Sequence, residues 1–245
     1  MTTDIPRRHG AETSPLGQAV AYRDTYAPEL LFPIARQLKR DELGLRADAL
    51  PFVGEDLWNA YELSWLDARG KPVVALGEFR VPAASPRLIE SKSLKLYLNS
   101  FNQQRCASVE EVRATITRDL SAATGAAVAV MLWPLHERPG RRFGYPEGVC
   151  LDDLEIDIER YQPCPETLRA EGPEVEETLY SHLLKSNCLV TGQPDWGMLV
   201  VRYRGAAVDR EGLLRYVVSF RGHNEFHEQC VERVFCDLMA RCKPQ

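Results

Sequence analysis

The sequence predicts an α+β fold of two tandem modules, each an antiparallel sheet with a helix pair on one face. The second module is expected to be incomplete at its C-terminus. Three observations predict this. Paired apolar segments with strand-like character are joined by turn residues at 57–81 and again at 175–205. Each pair is followed by a segment whose apolar residues fall at i, i+3, i+4, i+7: Leu94, Tyr97, Leu98 and Phe101 in the first, Leu213, Tyr216, Val217 and Phe220 in the second. A second helical pattern follows in both copies, but strand patterns close only the first.

The elements follow in chain order. Residues 1–55 are Pro-bearing and irregular, with the apolar stretch "YAPELLFPIARQ", and read as an arm packed along the body. The first module is assigned to 56–160. "LWNAYELSWL" alternates Leu57, Asn59, Tyr61, Leu63 and Trp65 on one side, "DARG" turns, and "KPVVALGEFRV" returns. The "ESKSLKLYLNSF" helix is followed by another that opens on a Ser108–Glu111 capping box, with Val109, Val112, Ile116 and Leu120 as its stripe. "AAVAVMLWPL" and "LDDLEIDI" read as two further strands. The second module, 161–245, begins with a Pro-bearing linker, "YQPCPETLRAEGP". Strands at 175–187 and 196–205, a helix in "DREGLLRYVVSF" and a last helix with Asn224 as N-cap complete it.

Composition narrows the function classes. With 245 residues, 44% hydrophobic and 27% charged, the chain reads as an ordinary globular protein. A net charge of −5 argues against direct nucleic-acid binding, which requires a clustered basic surplus. No run of roughly 18 apolar residues is present to span a membrane. The start has no apolar signal region, and the seven cysteines are odd in number with no CxxC, so a cytoplasmic location with free thiols is expected. Cysteine and histidine lack ligand spacing, and no metal is expected.

Three stretches carry possible chemistry. In "SNCLVTGQPDWG" the second hairpin carries a longer loop than the "DARG" of the first, and Cys188 and Asp195 stand on its opposing stems. A thiol with a free pKa of about 8.5 becomes a good nucleophile when a neighbouring base takes its proton. Spacing alone leaves two readings open: a nucleophile with its base, or a packing thiol and a turn cap. In "GHNEFHEQC", His227 and Glu228 lie in a first helical turn, with Glu225 also near its positive end. In "LIESKSLK", Glu90, Ser91 and Lys92 open a helix with a carboxylate, a hydroxyl and an ammonium. The bland reading of both is a solvated helix entrance.

"ESKSLKLYLNSFNQQ", "SNCLVTGQPDWG" and "SFRGHNEFHEQCVERVF" together resemble the signature segments of the QueF family, the NADPH-dependent 7-cyano-7-deazaguanine reductases. "YRDTYAPELLFPIAR" resembles the N-terminal part of its longer, two-module form. The likeness runs over nearly the whole chain. It implies the tunnelling fold (T-fold), shared with GTP cyclohydrolase I, and a nitrile reduction that feeds the tRNA base queuosine. Cys188 would add to the nitrile carbon as a thioimide, and Asp195 would handle the proton. His227 would line the pocket and assist the proton transfers. Leu88, Ile89, Glu90 and Glu228 would hold the deazapurine, and Ser91 and Lys92 would meet NADPH. A homodimer is implied. Family members continue beyond the second helix into a segment absent here, so a binding-only or inactive relative is the alternative. A T-fold pterin or purine enzyme is a further rival.

Overall fold

A computed structural model describes residues 10–11, 13–135, 137 and 144–245. The chain divides into two compact units, Met1–Arg141 and Arg142–Gln245. Each is an α+β layer structure with its own hydrophobic core.

In the first unit, β1 (Pro33–Ala35) and a short helix, α1 (Gln37–Arg40), precede the hairpin of β2 (Glu55–Leu66) and β3 (Pro72–Pro82). The two-residue-per-face alternation expected along β2 does not hold throughout. Ala60 pairs with Gly77 and Leu63 with Ala75, so β2 carries one extra residue between them. Such a bulge swaps the faces of the strand. Before it Trp58 and Ala60 pack on the core; after it Leu63 and Trp65 do. Leu57 and Tyr61, expected on the buried side, are exposed.

The chain next forms β4 (Arg87–Ile89), which pairs antiparallel with β1, then α2 (Ser91–Asn99), α3 (Val109–Thr124) and β5 (Ala129–Pro134). β5 lies antiparallel to β3, giving the sheet order β2-β3-β5. The predicted apolar faces of both helices close over this sheet: Leu94, Tyr97, Leu98, Phe101, Val112, Ile116 and Leu120 are all buried with Phe79 and Val81. Ser108 caps α3 by accepting from the Glu111 N–H, as expected.

In the second unit, β6 (Val149–Cys150) pairs parallel with β7 (Ala170–Asn187), which pairs antiparallel with β8 (Pro194–Val208). The strand expected over "LDDLEIDI" is absent. Leu151 still donates its N–H to Tyr180 O, but the Leu154 N–H turns back onto Leu151 O and the ladder ends. Apolar alternation in 151–158 therefore marks a half-buried extended segment that leaves the β7 ladder after its first residues. α4 (Arg210–Ser219) and α5 (His227–Cys242) cover the sheet through Leu213, Tyr216, Val217, Phe220, Val234 and Leu238. α5 does not begin at Asn224: its cap position is Phe226, and Asn224 is used elsewhere.

The duplication runs deeper than the elements predicted. Tyr97 donates to Asp119 at 2.7 Å in one unit, and Tyr216 to Asp237 at 2.5 Å in the other. The Ser100 hydroxyl accepts from the Ala27 N–H, and the Ser219 hydroxyl from the Cys164 N–H. Ala27 and Cys164 each precede a short Pro-Glu helical turn, Pro28–Leu30 and Pro165–Thr167. Arg23 pairs with Glu29, and Arg160 with Glu166. The segments read as an arm and as a linker thus hold equivalent places in the two units. Among the described residues, no helix is long and apolar enough to cross a membrane.

Candidate active site

The long β7–β8 hairpin builds the thiol-bearing part of the site. Its register pairs Ser186 with Asp195 and Asn187 with Pro194. Cys188 lies just past Asn187, the last residue of β7, at the start of the loop. The ladder carries on into the loop: the Cys188 N–H donates to Gln193 O at 2.8 Å, and the Gly192 N–H to Cys188 O at 3.0 Å. Gly192 closes this turn at a φ of 67°, where a side chain would be strained.

A rail formed by residues 223–225 holds the other edge of the hairpin tip. Asn187 donates its N–H to His223 O at 2.8 Å, and the Glu225 N–H donates to Asn187 O at 3.1 Å. The Asn224 side-chain amide donates to Cys188 O at 3.3 Å. The rail is anchored by Glu225, which is 1% exposed. Its carboxylate takes a two-pronged hydrogen bond from Arg233 at 3.0 and 2.8 Å, and lies 3.1 Å from His223 Nε2. Burial pushes this carboxyl upward, but the hydrogen bonds and charges of His223 and Arg233 overcome that and hold it at about 2. Sequence reasoning placed Glu225 only near the positive end of the last helix. The only sequence signal for its partner is Arg233 eight residues on, a spacing too common to be diagnostic.

His227, the first residue of α5, brings Nε2 to 3.8 Å from Asp195 Oδ2. Both side chains are partly open to solvent. They line a cavity of about 180 Å³ together with Ser186, Met198, Cys230 and Val231. Cys188 is half-buried in the loop and is not among the described residues lining that cavity. Glu228, in the same first turn of α5, is half-buried. The neighbouring Cys230 is a different kind of thiol: burial, reinforced by the Glu225 charge, drives it strongly toward the protonated form.

The other predicted residues lie in the first unit. Leu88 and Ile89 are buried in β4, opposite Ile34 and Pro33, so their side chains support the core. Glu90 is the N-cap of α2. Its two carboxylate oxygens accept from the Lys92 N–H at 2.6 Å and the Ser93 N–H at 2.9 Å, and it is 1% exposed. An ionised carboxylate has about four acceptor positions; Oε1 also takes the Ser91 hydroxyl at 3.4 Å, so capping leaves Oε2 able to take another donor. Ser91 is exposed, and Lys92 Nζ donates to Gln18 O. Ser91 also lines an apolar cavity of about 410 Å³ with Trp58, Tyr61, Phe79 and Leu98. An exposed hydroxyl, an ammonium and a helix N-terminus beside an aromatic-walled cavity suit a phosphate-bearing cofactor with a flat ring.

Sheet, helix pair and duplicated turn define a two-unit T-fold protein with a thiol on a loop in one unit and a carboxylate-capped helix in the other. Comparison with known proteins gives the family. A family model described as "Nitrile reductase, 7-cyano-7-deazaguanine-reductase N-term" matches residues 22–132, and one described as "QueF-like protein" matches 194–245. A protein of Azoarcus sp. (strain BH72), named NADPH-dependent 7-cyano-7-deazaguanine reductase, is 74% identical over 97% of this chain and 84% of its own length. Proteins of the same name from Aromatoleum aromaticum and Dechloromonas aromatica are 70% and 64% identical, over 97% and 96% of this chain and 84% and 83% of their own lengths. The chain belongs to the QueF family.

Proposed function

We propose that the chain reduces the nitrile of 7-cyano-7-deazaguanine to the aminomethyl group of 7-aminomethyl-7-deazaguanine, the amine used in queuosine biosynthesis. The observation that carries the assignment of residues is the hairpin register. It brings the stem that carries Asp195 alongside the chain leading into Cys188, and His227 Nε2 lies 3.8 Å from the Asp195 carboxylate at the start of α5.

Cys188 adds through Sγ to the nitrile carbon. Asp195 takes the thiol proton and passes it to the nitrile nitrogen, leaving a neutral thioimide on the enzyme and a carboxylate that takes up a proton from solvent. Two NADPH molecules, as co-substrates, would each supply one hydride per nitrile. After the first, the C–S bond breaks: the sulfur regains its proton from Asp195 and an imine is released from the thiol. His227, within reach of Asp195, relays protons between that carboxyl and the substrate nitrogen. The balance is one nitrile, two NADPH and two protons to one amine and two NADP⁺.

Holding the intermediate requires that water be kept away, since a thioimide or imine exposed to water hydrolyses. In the first unit Glu90, with Leu88 and Ile89 beside it, offers a carboxylate to N–H groups of a deazapurine, and in the second unit Glu228 offers another. Ser91 and Lys92 meet the phosphates of NADPH at the first turn of α2. We infer that the protein works in the cytoplasm as a homodimer. Stoichiometry tests the reading: with limiting nitrile, NADPH consumption should reach about two per substrate, one for each hydride step. Consumption of one, or none, would reject a complete reductase.

A further inference from the structure

Outside the reductase machinery, β6 and β7 bring together a thiol, a carboxylate and an imidazole that are remote in sequence. Cys150 pairs with Tyr180 in the parallel ladder. Residues two apart share a face, so Asp152 follows Cys150 and His182 follows Tyr180 onto the same side. The contacts bear this out. His182 Nδ1 lies 2.9 Å from Asp152 Oδ2, and the His182 N–H donates to the same carboxylate at 3.1 Å. One ligand-capable atom of each of Cys150, Asp152 and His182 lies within 4.8 Å of the others. The rings of Tyr180 and Tyr145 stand edge-on to the imidazole at 5.5 and 6.3 Å. None of the three residues lines the cavity beside Asp195 and His227.

We propose that Cys150, Asp152 and His182 form a binding site for a divalent transition-metal ion of the zinc type. The donor set decides the class of ion. Sulfur and imidazole nitrogen favour borderline and soft cations, whereas magnesium and calcium call for all-oxygen shells. Three protein ligands leave a fourth tetrahedral position, and the partial exposure of His182 and Asp152 opens it to water. Binding takes the Cys150 thiol as thiolate and releases its proton to solvent, with no change of oxidation state. The ion ties the turn at 151–154, where the β6–β7 ladder ends, to the middle of β7. Its place is therefore in the architecture of the second unit, and the nitrile chemistry does not need it.

The test is a Co²⁺ titration of the purified full-length chain after treatment with a chelator. Tetrahedral Co²⁺ bound to a thiolate gives a near-ultraviolet charge-transfer band and intense visible bands. These should saturate at one ion per chain and disappear when Zn²⁺ displaces Co²⁺. Cys150→Ser should remove the charge-transfer band. His182→Gln should weaken binding beyond the roughly 10–100-fold typical of losing an outer-sphere partner. Cys188→Ser should leave the spectrum intact, which separates this site from the reductase thiol. A charge-transfer band that survives Cys150→Ser, or no saturable band in the unsubstituted chain, overturns the proposal. Should Cys150→Ser fail to fold by circular dichroism, unchanged Co²⁺ affinity in His182→Gln overturns it equally.

Discussion

Replacing Glu225 by glutamine tests whether the buried ion pair organises the thiol-bearing hairpin. The carboxyl sits at about 2 against an ordinary 4.5. At about 1.36 kcal/mol per pKa unit, this depression corresponds to about 3 kcal/mol of stability. The sign follows from the depressed value: the contribution is complete above the unfolded-state pKa near 4.5 and is lost as pH falls from there toward 2. In Glu225→Gln that portion of the acid sensitivity vanishes. At neutral pH the variant also replaces the charged, two-pronged partner of Arg233, 16% exposed, by a neutral amide. Urea unfolding at a series of pH values between 7 and 2.5 measures both. The gap between wild type and variant should be largest at pH 7 and shrink by most of about 3 kcal/mol toward pH 2.5. Amide exchange should accelerate first at Asn187 and Glu225, whose N–H groups form the rail. A gap that stays constant with pH would refute the reasoning, as would exchange at those amides that does not change.

Two further expectations follow from the site geometry. Limited alkylation of the folded chain should modify half-buried Cys188 well before Cys230, which burial and the Glu225 charge hold as an unreactive thiol; peptide mass mapping gives the order, and earlier labelling of Cys230 would contradict it. Glu90→Ala should destabilise the first unit by about 0.5–2 kcal/mol through loss of the α2 cap, and also weaken binding of 7-cyano-7-deazaguanine measured by calorimetry. Loss of stability with unchanged substrate affinity would confine Glu90 to capping.

Helical periodicity made the duplication legible. Each of Leu94, Tyr97, Leu98, Phe101, Leu213, Tyr216, Val217 and Phe220 is buried as its spacing predicts, because a 3.6-residue repeat reports one packed face directly. Strands were less transparent. The bulge after Ala60 reverses the faces of β2 without any residue that announces it, and "LDDLEIDI" alternates beside a ladder that has already ended. The matching turns at Pro28–Leu30 and Pro165–Thr167 escaped notice since they rest on hydrogen bonds to Ser100 and Ser219, partners more than fifty residues away.

The candidate site shows a similar divide. Motif likeness singled out Cys188, Asp195 and His227, and the hairpin register with the start of α5 accounts for two of them meeting at a cavity wall. What the sequence concealed were the supports. The sequence puts Glu225 only near the positive end of the last helix, yet it is the buried anchor of the rail, and Glu90 spends one acceptor on each side capping its own helix. The Cys150–Asp152–His182 cluster was equally hidden, for the ladder between β6 and β7 alone makes neighbours of residues thirty positions apart.

The most direct measurement is intact-protein mass spectrometry, with peptide mapping, of the chain mixed with 7-cyano-7-deazaguanine in the absence of NADPH. The account predicts a mass increase of one substrate molecule on Cys188, absent from Cys188→Ala and slow to form in Asp195→Asn. A substrate adduct on another residue, or one that persists in Cys188→Ala, would contradict it.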